Sequence, residues 1–391
     1  MDSRRRTSMG KSSFVDMAIQ IIEDFQNSKG AQLEIIASSL DRTLFNEIRS
    51  VAWRVFLNLL PAKSPSEWVS ITKQQRKEYD EETEKIDSEE TQKVVKTREF
   101  EFMALARTIV KEESKKSMIF NSLSESAQKI FVLWLRKNDN VSSEHFRPLF
   151  RILLTLMFAL YPSMLNVASE ECDIKKDNKT PSAKELYYFL NCEDYFDHDI
   201  YWIFTEIMNR GIKDLVTCTD KKMDNTAVNE LYSKVQLCQN NGKKVAQLLS
   251  GVGRADISFL YYLGVCDEEL VKKLVEKNRN IIGVIHSLIS TLFYDFDYES
   301  LIYLWDCVFA CENNSQFDFS LVNKHQKRLS LIDFLACSLI SKTNPSILLE
   351  GDLEKACGAS FEANLIDSDY KSIVLTALKL REKITNLYEE N

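Results

Sequence analysis

The sequence predicts an all-α protein, and two observations carry that prediction. Its 391 residues include only ten glycines and six prolines. Sheet proteins and nucleotide-binding folds need more of these residues in their turns and phosphate loops. In addition, 45% of the residues are hydrophobic, and they recur at helical spacing along much of the chain. That content is enough for one large or two ordinary helical domains.

The first predicted elements lie in the N-terminal quarter of the chain. Residues 1–12 are charged and polar, and we expect them to be disordered, whereas residues 15–25 have helical periodicity. Helices over residues 31–61 should end at Pro61, and the next helix should open at Trp68. The segment 76–98 is so highly charged that we expect a solvated helix or loop.

The remaining elements are also predicted to be helices. Residues 99–116 should form one, with Phe100, Met103, Leu105 and Ile109 partly on one side. The longest apolar run, residues 149–161, contains Arg151 and is too short to span a bilayer, so it is interpreted as part of a core helix. Helices are further predicted over residues 126–138, 146–161, 197–215, about 230–309, 329–341 and 368–388, the last of them exposed. Polar loops are predicted at 139–143, 170–183, 217–226 and 312–318.

Charge and cysteine content limit the classes of function. The net charge is −8 and no long basic stripe is visible, which disfavours nucleic-acid binding. Nine dispersed cysteines without a CxxC pair indicate a reducing compartment and no zinc site. The N-terminus does not have the pattern of a signal peptide. We therefore expect a cytoplasmic protein without a transmembrane segment. Its domains are predicted as an N-terminal tail over 1–30, a helical domain over 31–365 and a C-terminal helix over 366–391.

Residues 48–79 carry the most specific pattern in the chain, an apolar helix, a proline break and a second helix. Arg49, Trp53 and Leu57 are spaced by four, which places them on one helical face. After the break, Trp68 is followed by Arg76 and Tyr79. By periodicity alone this is a pair of amphipathic helices that pack a core.

Three later segments add to the pattern, in order: residues 197–209 (DHDIYWIFTEIMN), residues 288–310 with LF and LWDCVF, and residues 329–340 (LSLIDFLACSLI). Together with residues 48–79 they resemble the TBC family, most nearly its retromer-associated, endosomal branch. The residues of the 288–310 segment that carry the resemblance are Leu292, Phe293, Phe296, Leu304, Trp305, Asp306 and Phe309. The resemblance implies a multi-helix TBC domain, which in that family activates Rab GTPases.

TBC proteins place their chemistry on two loops, one carrying an arginine finger and the other a glutamine. The best match to the first motif, Ile-x-x-Asp-x-x-Arg, begins at Ile109 and puts Glu112 and Lys115 at the acidic and finger positions. Lysine keeps the charge but loses the planar fork of arginine. An alternative match beginning at Ile130 keeps an arginine, Arg136, but lies inside an apolar helix.

The second motif, Tyr-x-Gln-Gly, should open the helix at 146–161. His145, Arg147 and Pro148 occupy its tyrosine, glutamine and glycine positions. Arginine cannot accept a hydrogen bond, so Arg147 cannot orient a water molecule as glutamine does. Lys115 and Arg147 are thus the candidate site residues, in altered finger motifs. They are either solvated surface charges, or Arg147 adds charge at the nucleotide of a GTPase.

The resemblance implies a regulator of a Rab-family GTPase in vesicle or endosomal traffic, with weak or no activating activity. The alternatives are a non-catalytic scaffold for a GTPase or a retromer-type coat complex, and a helical adaptor unrelated to GTPases. No cofactor is expected, because the partner GTPase would hold GTP and magnesium. The protein should be cytoplasmic and peripheral on endosomal or other vesicle membranes. Phosphate-loop, HExxH and GxSxG signatures are absent from the sequence.

Overall fold

A computed structural model describes residues 14–24, 26, 46–62, 64–86, 92–164, 181–213, 216, 255–277, 279, 281–294, 296–313, 331–351, 365 and 369–389. These residues form fifteen α-helices and no β-strand, which confirms the all-α prediction. No helix among them is long and apolar enough to cross a membrane. The chain divides into two compact units, Met1–Ile207 and Met208–Asn391. The domain bounds derived from the sequence stay a prediction.

The first unit has eight helices in its described part. They are α1 (14–24), α2 (Asn46–Phe56), α3 (Trp68–Ile86), α4 (Gln92–Glu113), α5 (Ile119–Lys137), α6 (Phe146–Met164), α7 (Ala183–Leu190) and α8 (Phe196–Ile207). Helix α6 packs against α2, α4, α5 and α8, while α3 packs against α8. Nearly all the apolar side chains of residues 149–161 are buried, which confirms this run as a core helix.

The pattern over residues 48–79 forms part of this core. The second helix opens at Trp68, as predicted, after a single 3-10 turn at Pro65–Glu67. The Trp68 indole donates to the Pro61 carbonyl oxygen over 2.8 Å, so the ring fixes the chain at the break between α2 and α3. The six residues that define the pattern are all buried: Arg49, Trp53, Leu57, Trp68, Arg76 and Tyr79.

Helix α4 differs from the prediction in both its start and its buried side. It begins at Gln92 and not at residue 99, so the last seven residues of the charged segment 76–98 belong to it. The buried face is formed by Phe102, Ala106 and Ile109, spaced by four and three residues as a helical stripe requires. Phe100, assigned to the apolar side from the sequence, is 77% exposed. The assignment was wrong because Phe100 lies about half a turn away from Phe102.

Two boundaries near the end of the first unit also differ. Helix α7 lies in a region where no helix was predicted, and it begins with a capping box in which Ser182 and Glu185 bond each other's backbone amide. Helix α8 ends at Ile207, earlier than predicted, and residues Met208–Ile212 form a π-helical turn. Gly211 has φ 84° there, a left-handed conformation that breaks a regular helix.

The second unit has seven helices in its described part. They are α9 (Ala255–Cys266), α10 (Glu268–Glu276), α11 (Ile281–Ser290), α12 (Tyr298–Ala310), α13 (Ile332–Ser341), α14 (Pro345–Glu350) and α15 (Tyr370–Glu389). Helix α13 is central, because it packs against α9, α11 and α15. The prediction of an exposed final helix is wrong: α15 buries Ile373, Ala377, Leu380 and Ile384. The loop prediction at 217–226, most of those at 170–183 and 312–318, and residues 1–12 lie outside the described residues.

The segment 288–310 packs around a strained turn. Leu292 and Phe293 have φ values of 47° and 63°, which residues other than glycine rarely adopt. The Trp305 indole of α12 donates to the Leu292 carbonyl oxygen over 2.8 Å and holds this turn against the helix. The seven residues that carry the resemblance here are all buried: Leu292, Phe293, Phe296, Leu304, Trp305, Asp306 and Phe309.

Candidate functional site

Lys115, the first predicted finger position, lies in the turn after α4. The helix ends at Glu113, and the Lys115 amide donates to the Glu112 carbonyl oxygen over 3.2 Å. The Lys115 side chain is exposed and forms no ion pair within the part of the chain that the structure describes. It presents a single positive charge to solvent.

Arg147, the second predicted position, lies in the first turn of α6. A 3-10 turn, Ser143–His145, leads into this helix, and Pro148 lies in its first turn, where an N–H would have no helical partner. The Arg147 Nη1 atom donates to Glu112 Oε2 over 2.8 Å. The two side chains are 40% and 38% exposed, respectively. Because Glu112 is three residues before Lys115, the two predicted loops are linked through Glu112.

Further charges surround this link. Arg151 Nη2 donates to the same Glu112 Oε2 atom over 2.8 Å, and Arg151 Nε lies 3.1 Å from Glu113 Oε1. Lys116 Nζ lies 3.0 Å from Glu113 Oε2. We call Glu112, Glu113, Lys116, Arg147 and Arg151 the junction cluster. It joins the end of α4 to the start of α6.

The exposed part of the junction cluster orients side chains more than it stabilises the fold. The pair formed by Glu112 and Arg147 is well exposed, and such pairs are worth about 0.2–1 kcal/mol. Its geometry nevertheless has a chemical consequence, because the Arg147 guanidinium already donates to a carboxylate of its own chain. A partner's phosphate would have to compete with Glu112 for that donor.

The alternative finger match lies elsewhere in the first unit. Its first two positions, Ile130 and Leu133, are buried in α5, and Arg136 forms an ion pair with Glu99. Arg151 and Glu113 were not singled out from the sequence. The spacing of four between Arg147 and Arg151 is the signal that could have identified the cluster, since it places both on one face of a helix.

A second, buried charge cluster lies within the helices of the first unit. Arg76 donates to both Asp199 carboxylate oxygens, over 3.2 and 2.8 Å, and Arg54 Nη1 lies 3.2 Å from Asp199 Oδ2. Arg76 also donates to the Phe189 carbonyl oxygen over 3.0 Å, and Arg54 donates to the Leu190 carbonyl oxygen. All three charged side chains are buried. Burial lowers the pKa of Arg54, and the Asp199 carboxylate opposes that effect. This cluster is part of the scaffold and not a solvent-accessible site.

The His198 side chain packs against residues of α3. Asp197 and Asp199 lie in the first turn of α8, where negative charges interact favourably with the helix dipole. His198 Nε2 is 2.8 Å from Asp80 Oδ1, and its ring lies 4.4 Å from the ring of Tyr79. These contacts position the ring between α3 and α8. The pairing of Asp199 with two arginines was not anticipated.

The described residues contain no group of three or more His, Cys, Asp or Glu side chains that could hold a metal ion. The cysteines among them are free thiols. Burial raises the pKa of the Cys266 thiol to about 11, and it also raises the pKa values of Cys307 and Cys337. These thiols are therefore protonated and poorly nucleophilic at neutral pH. No protein-family model matches the sequence, and a search of curated proteins finds no similar sequence.

Proposed function

We propose that this protein binds a Rab-family small GTPase and regulates it in vesicle or endosomal traffic, with little or no stimulation of GTP hydrolysis. The observation that carries the proposal is the ion pair between Arg147 and Glu112. It links the two segments that the TBC resemblance names as finger loops. The residues that carry the resemblance are buried in each unit, as the scaffold residues of a TBC-like domain should be.

The proposal of weak catalysis follows from the side chains at the two positions. An arginine finger accelerates GTP hydrolysis by about 10³–10⁵-fold, because its guanidinium neutralises charge on the phosphoryl oxygens in the transition state. Lys115 lacks the fork that makes such contacts bidentate. Arg147 has no acceptor with which to orient water, and it is held by Glu112. GTP and magnesium would be supplied by the partner.

A second candidate is a scaffold that binds a GTPase or a retromer-type coat complex without any effect on hydrolysis. It is favoured by Pro148, which removes a backbone N–H at the glycine position of the second motif. A helical adaptor that does not bind GTPases is the third. Peripheral association with endosomal membranes belongs to the first two candidates.

A binding panel and a hydrolysis assay separate the candidates. Purified protein is titrated against Rab GTPases locked in the GTP or GDP state, and single-turnover hydrolysis is measured with each Rab that binds. Binding combined with less than about tenfold acceleration of GTP hydrolysis supports the proposal, because a full arginine finger accelerates it by about 10³–10⁵-fold. If no Rab binds, the adaptor is favoured. If the wild-type protein accelerates hydrolysis strongly and the Arg147→Ala variant does not, the proposal of weak catalysis is wrong.

A matched double variant controls for the loss of charge. Lys115→Ala/Arg147→Ala removes two cations at the candidate site, and Lys73→Ala/Lys379→Ala removes two exposed cations elsewhere. The site variant should weaken Rab binding, while the control should not. Equal weakening by both would mean that the contact depends on overall charge and not on the site.

A further inference from the structure

Helix α4 has an outer face opposite the side that packs in the core. Phe102, Ala106 and Ile109 mark the buried side. Ala104, Arg107, Thr108 and Lys111 follow Phe100 at helical spacing on the other side, and all of them are exposed. We call this surface the α4 outer face; it consists of Phe100, Ala104, Arg107, Thr108, Lys111 and, in the turn after the helix, Lys115.

The apolar feature of the α4 outer face is Phe100. A phenyl ring that is 77% exposed is costly to keep in water, and aromatic side chains of this kind are frequent energetic centres of protein interfaces. Ala104, one turn along the helix, and Thr108, one turn further, are small. Small side chains at this spacing allow a partner helix to approach α4 closely.

The charge on the α4 outer face is uniformly positive. Arg107, Lys111 and Lys115 are spaced by four, and none of them forms an ion pair with a residue that the structure describes. Two acids of α4, Glu101 and Glu112, lie at its flank by helical spacing, and Glu112 is engaged by arginines of α6. On a chain with net charge −8, this is a local reversal of sign that selects an acidic partner.

We infer that the α4 outer face binds an acidic amphipathic helix of a partner protein. The face is about 22 Å long at about 1.5 Å per residue, which is the length of a helix of four turns. An apolar side chain of the partner covers Phe100, and carboxylates spaced by one turn meet the three cations. A membrane fits less well, because interfacial helices bury a wide apolar face and this one offers a single ring.

The inference does not depend on the partner being a GTPase, and its test contains none. The probe is a fluorescein-labelled synthetic helical peptide of about 20 residues, with glutamates spaced by four and one leucine in its first turn. Binding is measured by fluorescence anisotropy. Phosphatidylserine vesicles are tested in parallel by co-sedimentation. Each variant is first checked for folding by circular dichroism.

The wild-type protein should bind the peptide saturably, and binding should weaken as ionic strength rises. Arg107→Glu/Lys111→Glu/Lys115→Glu should weaken it by about tenfold or more, and Phe100→Ser alone should weaken it measurably at unchanged charge. The matched control, Lys73→Glu/Lys272→Glu/Lys379→Glu, changes the net charge by the same amount on other exposed surfaces and should have little effect.

Three outcomes would overturn the inference. The wild type does not bind the peptide; or the two triple variants weaken binding equally, so that only net charge matters; or the wild type binds the vesicles and not the peptide, which assigns the face to a membrane. A negative Rab panel would leave the inference intact, since the peptide assay contains no GTPase.

Discussion

Asp199→Asn tests whether the buried charge cluster holds the first unit together. Asparagine keeps the size of aspartate and removes its charge, so two buried guanidinium groups, those of Arg54 and Arg76, lose their counter-ion. Removal of one partner from a buried pair costs about 3–5 kcal/mol. The arginines keep their bonds to backbone carbonyls, which partly compensate, so we expect the lower end, about 3 kcal/mol.

The matched control is Asp197→Asn. Asp197 lies in the same first turn of α8 but is only half-buried, so its loss removes little more than the interaction with the helix dipole, about 0.3–1 kcal/mol. A domain of about 200 residues loses roughly 2–4 °C of melting temperature per kcal/mol. We therefore expect a fall of about 6–12 °C for Asp199→Asn and about 1–4 °C for Asp197→Asn.

Thermal unfolding gives the melting temperatures, and urea unfolding followed by tryptophan fluorescence gives the matching loss of unfolding free energy in the relevant unit. Four of the five tryptophans, Trp53, Trp68, Trp134 and Trp202, lie within Met1–Ile207, so the signal reports mainly on that unit. If the two variants unfold at the same urea concentration, Asp199 is not an essential counter-ion and the reasoning fails. The same conclusion follows if Asp199→Asn unfolds no earlier than the wild type.

Three further predictions follow from single contacts. Trp305→Phe leaves the buried Leu292 carbonyl without its donor and should lower the free energy of unfolding by about 1–3 kcal/mol, as measured in urea, whereas a loss near zero would contradict the role of the indole. Ser182→Ala removes half of the capping box with Glu185 and should cost about 1 kcal/mol; Ser182→Asp, which can still cap, serves as the control. The pKa of Cys266 rises to about 11 on folding from 9.0, so its contribution to stability is complete below pH 9 and is lost as the pH rises toward 11. Cys266→Ala should therefore flatten the fall in melting temperature between pH 9 and 11, and an unchanged slope would exclude that contribution.

Prediction from the sequence was most accurate where long apolar runs form core helices. Helices α6 and α13 are buried on nearly every side, so their hydrophobic content alone predicts where they lie. The opening of α3 at Trp68 was predicted correctly, but the predicted end of the preceding helix at Pro61 is wrong. Helix α2 ends at Phe56, because Asn58 takes a left-handed φ of 60° that a regular helix does not allow.

The predictions from the sequence were wrong where they relied on residue composition and not on the helical spacing of the apolar residues. Helix α15 contains many charged residues, but Ile373, Ala377, Leu380 and Ile384 recur at helical spacing and are buried. Phe100 was placed on the same side of α4 as Ile109, although it is out of register with the buried Phe102. In both helices the spacing of the apolar residues, and not the residue composition, predicts which side chains are buried.

Other features depend on contacts between distant parts of the chain. Arg76 and Asp199 are separated by 123 residues, and no local pattern reveals that they pair. The link between Arg147 and Glu112 is likewise a tertiary contact, over 35 residues. The sequence proposed Lys115 and Arg147 as one site by resemblance alone. The contact of Glu112 with Arg147 depends on the packing of α4 against α6, which no local pattern predicts.

One carboxylate oxygen of Glu112 accepts from two arginines, Arg147 and Arg151. The two donors are therefore redundant: when one is removed, the other still neutralises the acid. Substitution of Arg147 alone should be mild, and the double substitution of Arg147 and Arg151 should cost more than the sum of the two single ones. Loss of the exposed Arg147 side chain therefore leaves no unpaired charge on Glu112 where α4 meets α6.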